Sequence, residues 1–174
     1  FMYGQYPVPE RWRVDLVGMV WVLVTLALSW RGLPHRRGAT IAAVLLLPPL
    51  AIVLLHGGWG TGLRLVETRE WGGLMLTLFL AIYAGLIAVP LGILLALGRR
   101  SRLPMIRFVS IVFIEFWRGV PIITVIFLAS ILLPIIFPQG MEIDKLLRAL
   151  IGLALVVAAY MAEVVRGGLQ AIPK

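Results

Sequence analysis

The sequence predicts an all-α, polytopic bundle of membrane-spanning helices, and three observations carry that prediction. Hydrophobic residues make up 61% of the 174 positions and the mean hydropathy is +1.01; soluble domains hold only about 45–50% apolar residues. Residues 71–98 carry no charge at all, a run longer than the ~18 residues that mark a bilayer span. The arginines gather in short stretches beside apolar runs, the pattern in which basic loops stay in the cytoplasm.

The elements follow in order. Residues 1–13 are polar and broken by Pro7 and Pro9, which limit helix. Val14–Trp30 is expected as span one, closed by a basic loop with Arg31, Pro34, His35, Arg36 and Arg37. Ala39–Leu55 is span two, with a kink expected at Pro48 and Pro49, which donate no backbone hydrogen bonds. A glycine-rich loop follows over 57–70, and Trp59 and Trp71 suit interfacial anchoring. Trp71–Gly98 is span three. Ala84, Ala88, Gly92 and Ala96 recur every four residues along it, a small-residue stripe that lets another helix approach. Arg99, Arg100, Arg102 and Arg107 then mark a cytoplasmic loop.

Span four, 108–137, is interrupted by Glu115 and Arg118. As one helix it would measure roughly 45 Å against a hydrocarbon core of about 30 Å. It must therefore begin outside the bilayer or bend near Gly119 and Pro121. A loop with Glu142, Asp144 and Lys145 precedes span five, Leu146–Val165, where Ala154, Ala158 and Ala162 repeat the spacing of four. This gives five spans, an outer start and an inner end, with 31–37, 99–107 and Lys174 cytoplasmic.

The net charge is +8, from 16 basic and 8 acidic residues. The gathering of the arginines in short loops beside apolar runs argues for a lipid bilayer as partner rather than nucleic acid. With no cysteine, there is no disulfide framework or thiolate metal site. His35 and His56 lie too far apart in sequence to suggest a metal cluster. No clustered Ser/His/Asp set, carboxylate group for magnesium or GxxxxGK[ST] motif is present. An enzyme has little support, and no catalytic or metal-ligating residue is expected.

Two segments read E-x-x-R-G: Glu115 to Gly119 and Glu163 to Gly167. Three-residue spacing makes each acid–base pair neighbours on one helical face. For Glu163 and Arg166, a snorkelling salt bridge at the inner interface stands beside a mechanical role. Gly167 and Gly168 suit either helix termination or a hinge. Glu115 and Arg118 either pair with each other at the cytoplasmic side or face a substrate pathway, because intramembrane charge is costly without a use.

AAYMAEVVRGGLQAIPK, residues 158–174, resembles the segment preceding the cytoplasmic coupling loop in permease subunits of binding-protein-dependent ABC importers for amino acids. WGGLMLTLFL, LGILLALGRRS and IEFWRGVPIITVIFLASILLP match that family in order and spacing, over residues 71–174. YGQYPVPERWR and the extra spans are similar to the longer general L-amino-acid permeases. The resemblance implies a type I importer bundle truncated at both ends. Residues 1–70 would be an N-terminal extension with two spans, and 71–174 the first three spans of a five-span core. It also implies a bacterial inner-membrane location and a translocation pathway for ATP-driven amino-acid uptake. The partners would be a second permease subunit, identical or not, two ATPase subunits that hold ATP and Mg²⁺, and a periplasmic amino-acid-binding protein. This chain itself would bind no cofactor. Pro121, Glu163, Arg166, Gly167 and Gly168 become candidates for coupling or hinge motion, and Glu115 and Arg118 for the substrate pathway. A Glu-Ala-Ala loop is expected directly after Lys174, and these residues alone should not transport. The alternative class is an ion-coupled secondary transporter or a non-transporting membrane scaffold.

Overall fold

The computed structural model describes residues 1–30, 35–58, 60–137 and 143–171. Arg31, Pro34, Trp59, Glu142 and Lys174, singled out above, lie outside the described residues. Six α-helices run α1 Arg11–Ser29, α2 Arg36–His56, α3 Gly73–Arg99, α4 Pro104–Gly119, α5 Ile122–Ile136 and α6 Lys145–Ala171, with no strand among the described residues. The apolar runs select helix because a chain in lipid must satisfy its backbone polar groups within the segment. α2, α3, α6 and α1 with its preceding turn are each long and apolar enough to cross a bilayer. A fifth crossing follows if α4 and α5 count as one span.

The chain divides into two compact units, Phe1–Leu78 and Phe79–Lys174. In the first, α1 and α2 pack side by side and leave Val22, Leu23, Leu26, Leu45 and Leu46 exposed, as a lipid-facing surface requires. α2 runs unbroken through Pro48 and Pro49. The N-terminal stretch, read above only as polar, is pinned down. Tyr6 is buried and its hydroxyl donates to the Leu55 carbonyl at 2.8 Å. Burial pushes the Tyr6 phenol above its ordinary pKa. Arg13, 1% exposed, pairs with Glu10 and donates to the Arg64 carbonyl at 2.8 Å. Gly57 ends α2 with a φ of +68°, and a Cβ there would run into the Arg64 carbonyl. Only glycine meets both demands without strain.

In the second unit the long span four resolves into a bend. α4 and α5 meet at 107°, with Pro121 at the N-cap of α5 and Val120 extended before it. Proline disfavours helix in the residue it follows, which breaks the run at the bend anticipated near Gly119 and Pro121. α5, 15 residues long, reaches about 22 Å and packs along α6. Gly152 of α6 permits this, since a Cβ there would lie 3.2 Å from Ala129 Cβ. Arg148 ties the pair by donating to the carbonyls of Ser130 at 3.0 Å and Ile143 at 2.8 Å.

α3 and α6 approach through their small residues. Ala84, Ala88 and Ala96, and Ala154, Ala158 and Ala162, are all buried. A Cβ on Gly92 would fall 2.7 Å from both Cβ and Cγ of Met161 and 3.0 Å from the Ala158 carbonyl oxygen. Gly98 meets Ser110 of α4 just as closely. α6 also continues four residues past Gly167 to Ala171, so the two glycines do not terminate it.

Candidate functional site

The strongest polar constellation of the second unit grows out of its apolar packing. Ala96 of α3, Ile114 of α4 and Ala162 of α6 form a fully buried cluster, flanked by Leu95 and Val165. This contact gathers three helices at one point, and charged residues follow it in sequence: Glu115 and Glu163 directly, and Arg99 three positions after Ala96. Glu163 is the hub. Its Oε1 accepts from Arg99 Nη1 at 2.6 Å. Its Oε2 accepts from Arg166 Nε at 2.8 Å, with Arg166 Nη2 at 2.7 Å. Arg118 Nη1 stands 3.9 Å from the same oxygen. The Glu163 side chain is 15% exposed. A carboxylate so enclosed needs its charge-assisted hydrogen bonds.

Arg99 does not end at Glu163. The same Nη1 lies 3.2 Å from Glu115 Oε1, so one guanidinium links α3, α4 and α6. Arg118 also sits over the Tyr160 ring, 5.8 Å from its centroid, within cation–π range. Arg166 Nη1 donates to Gln170 Oε1 at 3.1 Å. That i,i+4 bond spans Gly167 and Gly168 and, at about 0.2–0.5 kcal/mol, offsets a small part of the roughly 1 kcal/mol each glycine costs. Three guanidiniums against two carboxylates leave one positive charge in excess.

The spacing of Glu163 and Arg166 places them in contact, as expected for i,i+3 neighbours. Glu115 and Arg118 share that spacing but take different partners, Arg99 and Glu163; no ion pair joins them among the described residues. Pro121 stands at the α4–α5 bend. A Cβ at Gly167 or Gly168 would meet nothing within 4 Å. Arg99 is the residue that sequence reasoning passed over, counting it as a loop charge. The available signal was its position as the first charge after a charge-free run, next to Gly98. Among the described residues no group of three or more His, Cys, Asp or Glu could hold a metal. The arrangement offers no nucleophile or acid–base pair aimed at a cavity. What it can do is fasten three helices to one another.

Comparison with known proteins supplies what this geometry does not. Across all 174 residues the chain is 52% identical to the Escherichia coli K12 protein named inner membrane amino-acid ABC transporter permease protein YhdY. The chain belongs to the amino-acid ABC transporter permeases. A Rhodobacter capsulatus permease named for glutamate, glutamine, aspartate and asparagine transport is 47% identical over 109 residues, 63% of this chain. A Corynebacterium glutamicum permease named for arginine transport is 32% identical over 157 residues, 80% of this chain. This permease sequence spans 47% of the length of the Escherichia coli protein, 25% of the Rhodobacter protein and 50% of the Corynebacterium protein. No family model matches it, and no solved structure does. The Escherichia coli relative is named an inner membrane protein, and among the described residues of this chain four helices, or five if α4 and α5 count as one span, are long and apolar enough to cross a membrane.

Proposed function

We propose that this chain is part of the transmembrane subunit that forms the pathway for ATP-driven amino-acid uptake. The observation that carries the reading is the 52% identity along the entire chain to a named amino-acid ABC transporter permease. In this reading a second permease subunit completes the pathway, two ATPase subunits bind ATP and Mg²⁺, and a periplasmic binding protein delivers the amino acid. The cluster at Glu163 transmits motion. By binding α3, α4 and α6 together, it makes a push on the end of α6 move all three helices. Pro121, Gly167 and Gly168 are the points at which the chain can flex. Glu115 and Arg118 reach the pathway only through this cluster, since both are already engaged by it. The expected test is uptake of labelled amino acids by cells producing the full-length protein. Uptake should vanish when the ATPase subunit is deleted. Undiminished uptake driven by an ion gradient would instead favour a secondary transporter.

The arginine stretches around 36–37 and 99–107 are proposed to face the cytoplasm. These 174 residues hold no cysteine, and single cysteines are read in a full-length protein otherwise free of cysteine. Arg102→Cys should resist an impermeant thiol reagent applied to spheroplasts, and Lys145→Cys should react. The reverse pattern would invert the orientation.

A further inference from the structure

A second feature lies beside the Glu163 cluster and is not explained by it. Where α3 ends, a cavity of about 290 Å³ opens between α4 and α6, lined by Arg99, Arg100, Arg107, Ile111, Arg166 and Gln170. Arg99 and Arg166 are committed to Glu163. Arg100 and Arg107 are not: among the described residues neither side chain has an ion pair or hydrogen bond. Two guanidiniums thus face a space that two others already make positive. With Arg118, five guanidiniums gather here against two carboxylates. Such an excess of positive charge attracts an anion.

The helix that forms one wall indicates the kind of anion. α4 turns one side to the bundle, burying Ser110 and Ile114. It leaves Met105, Phe108, Val112 and Phe116 between 48% and 72% exposed. These recur at helical spacing and form a continuous apolar stripe. Ile111 of the cavity wall adjoins Phe108, three residues before it, on the helix surface. An occupant of the cavity can therefore carry its negative end among the arginines and lay a hydrocarbon tail along α4. The 107° turn from α5 also sets α4 steeply across the direction in which α5 runs.

We infer that this cavity is a binding site for the phosphate headgroup of an anionic phospholipid. Arg100 and Arg107 would grip the phosphate oxygens, for which the planar guanidinium fork is suited. Basic pockets between membrane helices are known to take such headgroups. The inference is independent of the transported solute and of the energy source.

The test is lipid selectivity of the purified full-length protein, read with spin-labelled phosphatidylglycerol against spin-labelled phosphatidylcholine in reconstituted membranes. The wild-type protein should prefer phosphatidylglycerol, and the preference should fall about fivefold for each of Arg100→Gln and Arg107→Gln. Arg102→Gln removes a charge from the same stretch outside the cavity and should have a smaller effect. Arg100→Lys with Arg107→Lys should keep part of the preference, and serves where the glutamine variants do not assemble. Inorganic phosphate at millimolar concentration should not compete, because it lacks the tail. Absence of a preference in the wild type would overturn the proposal. So would equal loss with Arg102→Gln, which reduces the effect to general surface charge, or full displacement by free phosphate, which makes the site one for soluble anions.

Discussion

Glu163→Ala is expected to lower the stability of the purified protein by about 2 kcal/mol, read as a fall in the thermal unfolding midpoint in detergent. The variant takes from Arg118 and Arg166 the carboxylate they pair with and leaves Arg99 only its contact with Glu115. Removing one partner of a fully buried ion pair typically costs about 3–5 kcal/mol. The figure here is smaller because the three arginines are between 27% and 36% exposed and can partly rehydrate. Glu115→Ala is the contrast. It removes a single contact at 3.2 Å from a side chain that is 55% exposed, and exposed pairs contribute at most about 1 kcal/mol. If the two variants unfold at the same temperature, Glu163 is not the hub.

Gly92→Leu is expected to be at least as damaging, for a steric reason. The first carbon of any side chain there already falls 2.7 Å from Met161 and 3.0 Å from a main-chain oxygen of α6. Met161 could swing aside, but the Ala158 carbonyl cannot leave without opening its helix. α3 and α6 would have to separate, exposing the alanines that line both helices. Overpacking costs about 1–3 kcal/mol where a core can adjust, and the expected loss is at the upper end. Gly85→Leu on the same helix is the control, because a Cβ there meets nothing within 4 Å. It should insert and fold at least as well as the parent. Equal recovery of folded protein from both variants would show that α3 does not need this approach.

The helices were legible because lipid imposes a strong rule on composition: a charge-free run of 28 residues from 71 to 98 has few alternatives. The bend was half legible: the length of 108–137 required a start outside the bilayer or a bend near Gly119 and Pro121, and the 107° turn between α4 and α5 is the second of these. The partners of the charges were less so. Glu163 and Arg166 meet because i,i+3 spacing guarantees neighbours on a helix. The same spacing misled for Glu115 and Arg118, which α4 directs toward other helices. Arg99 reaches Glu163 across 64 positions of sequence, and no local pattern encodes such a meeting. Residues 1–13 lack hydrophobic periodicity because they are held by donors reaching distant carbonyls. The folded state of that segment was therefore hidden from any reading of composition.

Those carbonyls have a consequence for how the permease can change over time. Tyr6 and Arg13 fasten the N-terminal segment to main-chain oxygens of Leu55 and Arg64, atoms every residue possesses. At position 64 the receiving half is therefore indifferent to side-chain identity, whereas Leu55 is held by its own burial. Position 64 can drift through most residue types and still offer the same oxygen, provided Gly57 keeps the turn open. The donating half has no such freedom: few side chains other than tyrosine at 6 and arginine at 13 have the length and the hydrogen to reach. Mutational tolerance across this contact is lopsided, with the loop free to vary and the segment it holds constrained.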